Sequence, residues 1–428
     1  MNGNNSPRNA NSNIGFRCCA KPLTKPLCPS CAWDRCVASH GCDDGARERL
    51  GPTPRRPRAG RRYQAAATAS SRCCHRRRQA IPQETTLKSY GDLWNQITSL
   101  EELYAGYRRA RRCKRKSPAV NRFAYRLEDN LISLQHELTS GSYMPSSYRS
   151  FMIYDPKPRR IYAAAFRDRV IHHSLVAATE PIFDRQMIYD SFACRKGKGS
   201  HAALERLDHF WRSCEERGDA YTLQLDVSKY FFNIRHDILF KILCRPIRET
   251  NVQALIEVIL KSLSTGDRPG IGIPIGNLTS QLWANVYLDQ LDHFAKERLR
   301  IPHYIRYMDD VAIFANSKTE LWEWLEEIKD FLNNQLGLGL NPRRTHIHPA
   351  REGIPWLGFH ILAPGQRRLA RRMVVRAARR LRQMAKDHQA GIITTNEIQQ
   401  RLTSWIAHAS YGDTWKLRQS LFGAIRWS

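Results

Sequence analysis

Tyr304-Ile305-Arg306-Tyr307-Met308-Asp309-Asp310-Val311-Ala312-Ile313-Phe314 sets two adjacent carboxylates between two apolar, β-prone stretches. The pattern predicts a hairpin: a strand in, an acidic tip at Met308-Asp309-Asp310, a strand out. Like charges held that close repel one another, and a divalent cation is the usual relief. Magnesium prefers carboxylate and phosphate oxygens in octahedral geometry. A lone Asp-Asp pair reads more simply as a polar turn, so the reading depends on what precedes it.

Two stretches upstream shift the balance. Tyr221-Thr222-Leu223-Gln224-Leu225-Asp226-Val227 reads as a strand ending in a carboxylate, with Tyr230, Phe231 and Phe232 just behind. The plain alternative is an aspartate capping the following helix. Then Pro269-Gly270-Ile271-Gly272-Ile273-Pro274-Ile275-Gly276 leads through Asn277-Leu278-Thr279-Ser280-Gln281 into an apolar helix ending near Leu291. A flexible loop entering a helix N-terminus lets backbone approach a base pair or a phosphate. Its spacing is not that of a dinucleotide-binding fingerprint. In this order the elements suggest one acidic site for two Mg²⁺ ions, which in two-metal phosphoryl transfer lie about 3.5–4 Å apart.

The composition narrows the partners. The 428 residues carry 68 Lys+Arg against 40 Asp+Glu, a net charge of +28 that points to a polyanion, most simply nucleic acid. No run of eighteen apolar residues exists, and the N-terminus has no signal pattern, so no membrane partner and a cytoplasmic location are expected. Of twelve cysteines, eight lie before residue 75, an uneven distribution that suggests a reducing compartment rather than a disulfide framework.

Residues 1–85 read apart from the rest. Cys28, Cys31, Cys36, His40 and Cys42, with Cys73, Cys74 and His75, could ligate zinc, but the second knuckle of a zinc ribbon is missing. The Arg-, Pro- and Ala-rich stretch 47–78 lacks apolar periodicity. A disordered extension, or upstream sequence from an over-long start, is the first reading and a small zinc module the second.

From Leu87 apolar residues recur at helical spacing: Leu93, Ile97, Leu100, Leu103, Tyr107, then Phe123, Leu127, Leu131, Leu134 and Leu138. The basic run 108–116 between them could contact phosphate. Residues 148–154 and 159–163 read as a hairpin whose basic tip, Lys157, Arg159 and Arg160, suits a triphosphate clamp; a basic edge strand is the even alternative. Arg195, Lys196 and Lys198 lie in a glycine-broken loop suited to a nucleic-acid backbone. His172 and His173 face different ways on a helix, which argues against one shared metal ion. Leu321–Leu336 reads as a helix, Trp356–Ile361 as a short strand, and Arg367–Lys386 as an amphipathic helix. On that last helix Arg371, Arg372, Arg376, Arg379 and Arg382 oppose Val374, Ala377, Leu381 and Met384. A small helical segment, 395–422, follows.

These stretches together resemble reverse transcriptases over about residues 90–420. Tyr307-Met308-Asp309-Asp310 looks like the family's catalytic box, and Leu225-Asp226-Val227 with Phe231 like its first palm motif. The resemblance implies an α+β, right-hand polymerase with an antiparallel palm sheet packed on helices. It implies fingers over 86–220, a palm over 221–362 and a helical thumb over 363–428, with the reverse transcriptase domain at about 140–362. Carried over, Asp226, Asp309 and Asp310 are catalytic and, with the Val227 carbonyl, metal-binding. Lys157, Arg159, Phe231 as the aromatic steric gate, Ile275 and Gln281 meet the dNTP. Trp356-Leu357-Gly358-Phe359 resembles the primer grip, so Trp356 and Gly358, with Arg372, Arg376 and Arg379 of the thumb, meet nucleic acid. Arg344 matches the position of a lysine thought to protonate pyrophosphate. Arginine holds its proton too tightly for that task.

Within the superfamily the sequence is most similar to reverse transcriptases of diversity-generating retroelements, which are bacterial or phage-encoded. Ile275-Gly276-Asn277-Leu278-Thr279-Ser280-Gln281 replaces the Pro-Gln-Gly box of most relatives, placing Ile275 where they have Gln. The stretches 163–173 and 103–110 carry the rest. That resemblance implies copying of a template RNA into cDNA with errors at adenines, and an accessory variability determinant as partner. Competing readings are a group II intron enzyme, which would carry a Pro-Gln-Gly box and a maturase segment, a retron enzyme, and a catalytically inactive RNA-binding protein. The intact aspartates argue against the last, since an acidic cluster weakens RNA binding unless metal neutralises it.

Overall fold

In the computed structural model, which describes residues 90–154, 158–263 and 268–425, the opening apolar periodicity forms two helices rather than one. They are α1 (Leu93–Thr98) and α2 (Leu100–Ala110). Ser99 separates them: its backbone is extended, and its hydroxyl accepts from the Glu102 amide at 3.2 Å to start a new helix. The stripe from Phe123 to Leu138 likewise divides at Arg126 into α3 (Pro118–Tyr125) and α4 (Leu127–Thr139), and Pro118 pre-sets the first turn of α3. The residues expected to form a zinc module, and Lys157 at the basic tip, lie outside the described residues.

β1 (Arg149–Ile153) and β2 (Arg159–Ala163) pair antiparallel as expected, with Phe151 opposite Ile161. Next comes α5 (Phe166–Gln186), a 21-residue helix that packs against α1 and α2. Gly106 of α2 lies on its backbone: a Cβ there would sit 2.7 Å from the Val170 carbonyl oxygen, so the close crossing needs glycine. The chain continues through α6 (Ser200–Glu215), β3 (Tyr221–Asp226), α7 (Tyr230–Asn233), α8 (His236–Cys244), α9 (Thr250–Ser262) and α10 (Leu278–His293). It then forms β4 (His303–Tyr307), β5 (Asp310–Ala315), α11 (Lys318–Leu336), β6 (His346–Pro349), β7 (Ile354–Trp356), β8 (Phe359–Ala363) and β9 (Gln366–Leu369). Three helices close it: α12 (Arg371–Gln389), α13 (Thr395–Ala409) and α14 (Trp415–Gly423).

The central sheet runs β4-β5-β3-β6, and every neighbouring pair is antiparallel. It is covered on both faces, which is why its strands read as nearly unbroken apolar runs rather than alternating ones. Leu223, Leu225, Val311 and Ile313 point into a large core with α8, α10 and α11. Ile305, Tyr307, Ala312 and Phe314 point the other way, into a second core with α6 and the β7-β8-β9 sheet. A strand alternates faces with period two, so Asp226 and Asp310 share the second face with Ala312 and Phe314.

Three further boundaries differ from the sequence reading. Trp356–Ile361 is two strands, because Leu357 and Gly358 both take positive φ, 47° and 88°, and make a two-residue hairpin turn. The helix expected from Arg367 starts at Arg371, since Gln366–Leu369 pairs with β8 as a third strand. The segment 395–422 is two helices. No helix among the described residues is long and apolar enough to cross a membrane.

Candidate active site

The acidic hairpin forms as its sequence predicts. Tyr307 pairs with Asp310 across a two-residue turn made of Met308 and Asp309. Met308 has φ 56° and is the only one of the two with positive φ, the pattern of a type II′ turn, where glycine is the usual occupant. A methionine held there is locally strained, and one contact explains how it is held. The buried Arg306 guanidinium donates from Nη1 to the Met308 carbonyl at 3.1 Å.

Arg306 is itself fixed on every side. Its Nε and Nη2 donate to the two oxygens of Asp292 at 2.7 and 2.5 Å. Further bonds reach Asn285 Oδ1 at 3.2 Å and Ser191 Oγ at 3.1 Å. Tyr304 Oη donates to Asp292 at 2.6 Å. The backbone on both sides of Arg306 pairs with Asp190 and Phe192, covering the open edge of β4. The sequence reading passed over Arg306 and Asp292. A single signal could have found them: a charged residue inside an apolar strand is expensive unless a buried partner neutralises it.

Register brings the carboxylates together. Asp226 is directly opposite Asp310 in the β3–β5 ladder, so the two side chains leave the same face of neighbouring strands. Asp309 sits on the turn beside them. Burial, followed by the negative charge of Asp309, pushes the Asp310 carboxyl up to about 7, against the pull of Arg344. Burial likewise raises Asp309, with Asp226 adding to it and Arg344 and Arg159 opposing. The Asp226 oxygens are bonded by Arg344 Nη1 at 2.5 Å and Asn341 Nδ2 at 2.9 Å.

The donor set is oxygen only. The segment after β3 crosses Leu340, where the Ser228 amide donates to Gly339 and the Asn341 amide donates to the Asp226 carbonyl. Successive carbonyls of an extended chain alternate sides, so the Val227 carbonyl is directed toward the β5 side, with the hairpin. Three carboxylates and a carbonyl, with no thiolate or imidazole among them, fit Mg²⁺ rather than a softer ion. Among the described residues no three His, Cys, Asp or Glu side chains form a ready metal cage. Here both Asp226 oxygens already hold protein donors.

Behind the carboxylates, the Phe231 carbonyl accepts from the Ile273 amide at 2.8 Å, joining α7 to the glycine-rich loop. Asn277 Oδ1 accepts from the Ala164 amide at 3.4 Å, joining that loop to the end of β2. Ile275 is half-buried. At the start of α10 the side chains of Thr279, Ser280 and Gln281 are buried, and Thr279 Oγ1, Ser280 Oγ and Gln281 Oε1 have no hydrogen-bond partner. Unmet buried polar atoms are groups a ligand could satisfy.

The residues expected to touch nucleic acid divide into committed and available. Arg195 is committed: it bonds Asp184 Oδ1 at 2.6 Å and the carbonyls of Ile188, Ser191 and Asp184. Lys196 is exposed, with Glu180 at 3.5 Å. Lys198 lies 4.2 Å from the Tyr189 ring centre, and burial, then Arg195, lowers its ammonium to about 8. Trp356 is buried beneath the Leu357-Gly358 turn, and Gly358 accepts from the Ala370 amide at 3.0 Å at the entry to α12. On α12, Arg372 and Arg379 are exposed and Arg376 lies 3.6 Å from Met373 Sδ. Ala377, Leu381 and Ala385 form the buried face.

Comparison with known proteins gives these observations a context. Residues 155–361 match the family described as "Reverse transcriptase (RNA-dependent DNA polymerase)". Protein YkfC of Escherichia coli K12 is 26% identical over 277 residues, covering 55% of this chain and 72% of that protein. The group II intron-encoded protein LtrA of Lactococcus lactis is 22% identical over 303 residues, covering 55% of this chain and 50% of LtrA. A putative COX1/OXI3 intron 1 protein of Saccharomyces cerevisiae is 24% identical, and the chain covers 34% of it. This chain therefore spans half or less of both intron proteins. Among solved structures, apo telomerase from Candida tropicalis aligns with TM-score 0.42 at 8% identity, covering 65% of this chain and 61% of that one.

Proposed function

We propose, from the match of residues 155–361 to the reverse transcriptase family, that the chain polymerises DNA on an RNA template. The observation that carries the reading is the register: Asp226 opposite Asp310, with Asp309 on the strained turn between β4 and β5. In this reading residues 86–220 are the fingers, 221–362 the palm and 363–428 the thumb, and the protein works in the cytoplasm.

Asp226 and Asp309 would be the principal ligands of two Mg²⁺ ions, with Asp310 and the Val227 carbonyl assisting. The ions, when bound, would activate the primer hydroxyl and neutralise the triphosphate. The rest falls to the chain. Arg306 holds the turn so that Asp309 keeps its place. Arg159 and, by the sequence resemblance, Lys157 orient the triphosphate, Phe231 closes the pocket against a ribose 2′-hydroxyl, and Gln281 supplies a polar contact to the nascent pair. Lys196 and Lys198, with Arg372, Arg376 and Arg379, track the backbone, and Trp356 and Gly358 shape the turn that meets the primer. Arg195 supports that loop from inside.

The finer reading is a diversity-generating enzyme that errs at template adenines and works with an accessory variability determinant. Its support is Ile275 in place of glutamine, which leaves an apolar, half-buried side chain in the loop joined to Phe231. A second reading, an intron-encoded enzyme, is favoured by the names of two relatives. The test is cDNA synthesis on an RNA carrying all four bases, with and without a co-expressed accessory protein, followed by sequencing of the product. Errors clustered at adenines, reduced by Ile275→Gln, support the first reading. Accurate product supports the second. No product from a folded protein that still binds RNA, with Asp309→Ala as control, overturns the polymerase itself.

A further inference from the structure

Arg344 and Asn341 both donate to the Asp226 carboxylate, but they are held very differently. Asn341 is built into the backbone: its amide donates to the Asp226 carbonyl at 2.8 Å, its own carbonyl accepts from the Arg344 amide at 3.0 Å, and its Oδ1 accepts from the Arg343 amide at 3.2 Å. These bonds fix a tight turn over 341–344. The Arg344 guanidinium reaches back from that turn on a flexible arm, and its side chain is 48% exposed. Of the two donors, only Arg344 can leave without dismantling the fold around it.

We propose that Arg344 is an internal counter-ion: it fills a cation position at Asp226 and is exchanged for a divalent ion when the site is loaded. The inference rests on the reading of Asp226 as a metal ligand. Three carboxylates gathered by register must be screened in the free protein, and a +1 guanidinium does so by charge alone. A +2 ion competes for the same oxygen with twice the charge and no side-chain ordering to overcome. Arginine suits this role where it does not suit proton donation, because it stays charged at any working pH.

The experiment measures Mn²⁺ binding to the full chain without nucleotide or nucleic acid, by the loss of the free-ion magnetic resonance signal. Wild type, Arg344→Ala, Arg344→Gln, Arg343→Ala and Asp226→Ala are compared. Arg343 is exposed on the same turn and controls for charge removed nearby without the contact. The expected result is about tenfold tighter Mn²⁺ binding in both Arg344 variants and less than about twofold change in Arg343→Ala. In chelator the Arg344 variants should melt below wild type, and the gap should close as Mn²⁺ saturates. Equal or weaker binding in the Arg344 variants, or an equal gain in Arg343→Ala, overturns the exchange while leaving the metal site intact. Wild-type binding no better than Asp226→Ala overturns the metal reading, and the exchange with it.

Discussion

Two Arg–Asp pairs flank the acidic hairpin, and they do opposite work. Beneath it Arg306 and Asp292 are wholly inaccessible, 0% exposed on both sides, and tied to Tyr304, Asn285, Ser191 and the Met308 carbonyl. At the rim Arg344 and Asp226 have side chains 48% and 9% exposed and share one contact between them. The chemistry is the same, and burial decides the role. A buried pair is costly to desolvate and ruinous to break, so it serves as a fixed strut. A rim pair is screened by water, contributes little stability, and can be exchanged.

The largest test of that contrast is at the site itself. Asp309→Ala should reduce cDNA synthesis at least about 10³-fold while leaving the melting midpoint unchanged or higher, since one crowded carboxylate is gone. A comparable loss of stability would mean the carboxylates belong to the strut and not to the rim. Next, Arg306→Met strands a buried Asp292 charge and should cost about 3–5 kcal/mol in denaturant unfolding, whereas Arg344→Ala should cost under about 1 kcal/mol in the presence of Mg²⁺. Arg306→Met combined with Asp292→Leu should regain most of the stability but little of the activity, because the Met308 carbonyl stays unpinned. Full recovery of both would show that Arg306 only neutralises Asp292.

Acid sharpens the same distinction between inside and rim. Burial pushes His172 down to about 4, and burial together with His201 pushes His408 down to about 3. The unfolded chain takes up these protons near pH 6.5. Their contribution to stability is therefore complete above 6.5 and falls away below it, by about 1.4 kcal/mol per pH unit for each group. Denaturant midpoints between pH 7 and 4.5 should fall, and His408→Leu should flatten the slope. An unchanged slope would mean that water reaches His408. The smallest expected effects separate two neighbours in one loop. Arg195→Ala should cost about 1.5–3 kcal/mol of stability through its lost bonds to Asp184 and three carbonyls. Lys196→Ala should leave stability alone and lower the salt slope of RNA binding by about 1.

The sequence was legible where one local pattern decides the outcome. Alternating strand faces, an acidic tip and a glycine loop entering a helix were enough to locate Asp226, Asp309 and Asp310 near one another. It was illegible where the answer depends on a partner far along the chain. Arg195 looks like any basic loop residue until Asp184 and Ile188 are folded around it. Arg306 sits inside the quoted stretch, yet its meaning comes from Asp292 on α10. The Leu357-Gly358 turn was missed because leucine seldom takes positive φ, and Ser99 and Arg126 were missed because a continuous apolar stripe conceals a helix break.

The pairing of Asp226 with Asp310 has a temporal side. The two residues are 84 positions apart, and Arg344 follows Asp226 by 118. At about 5–20 residues per second, a ribosome delivers Asp310 roughly 4–17 s after Asp226. Until then β3 lacks the neighbour that completes its ladder, and α5, α6 and the basic loop between them must wait beside an unfinished sheet. The nascent chain thus holds the basic loop between α5 and α6 out to solvent before Asp226 has gained the carboxylate that faces it across the ladder.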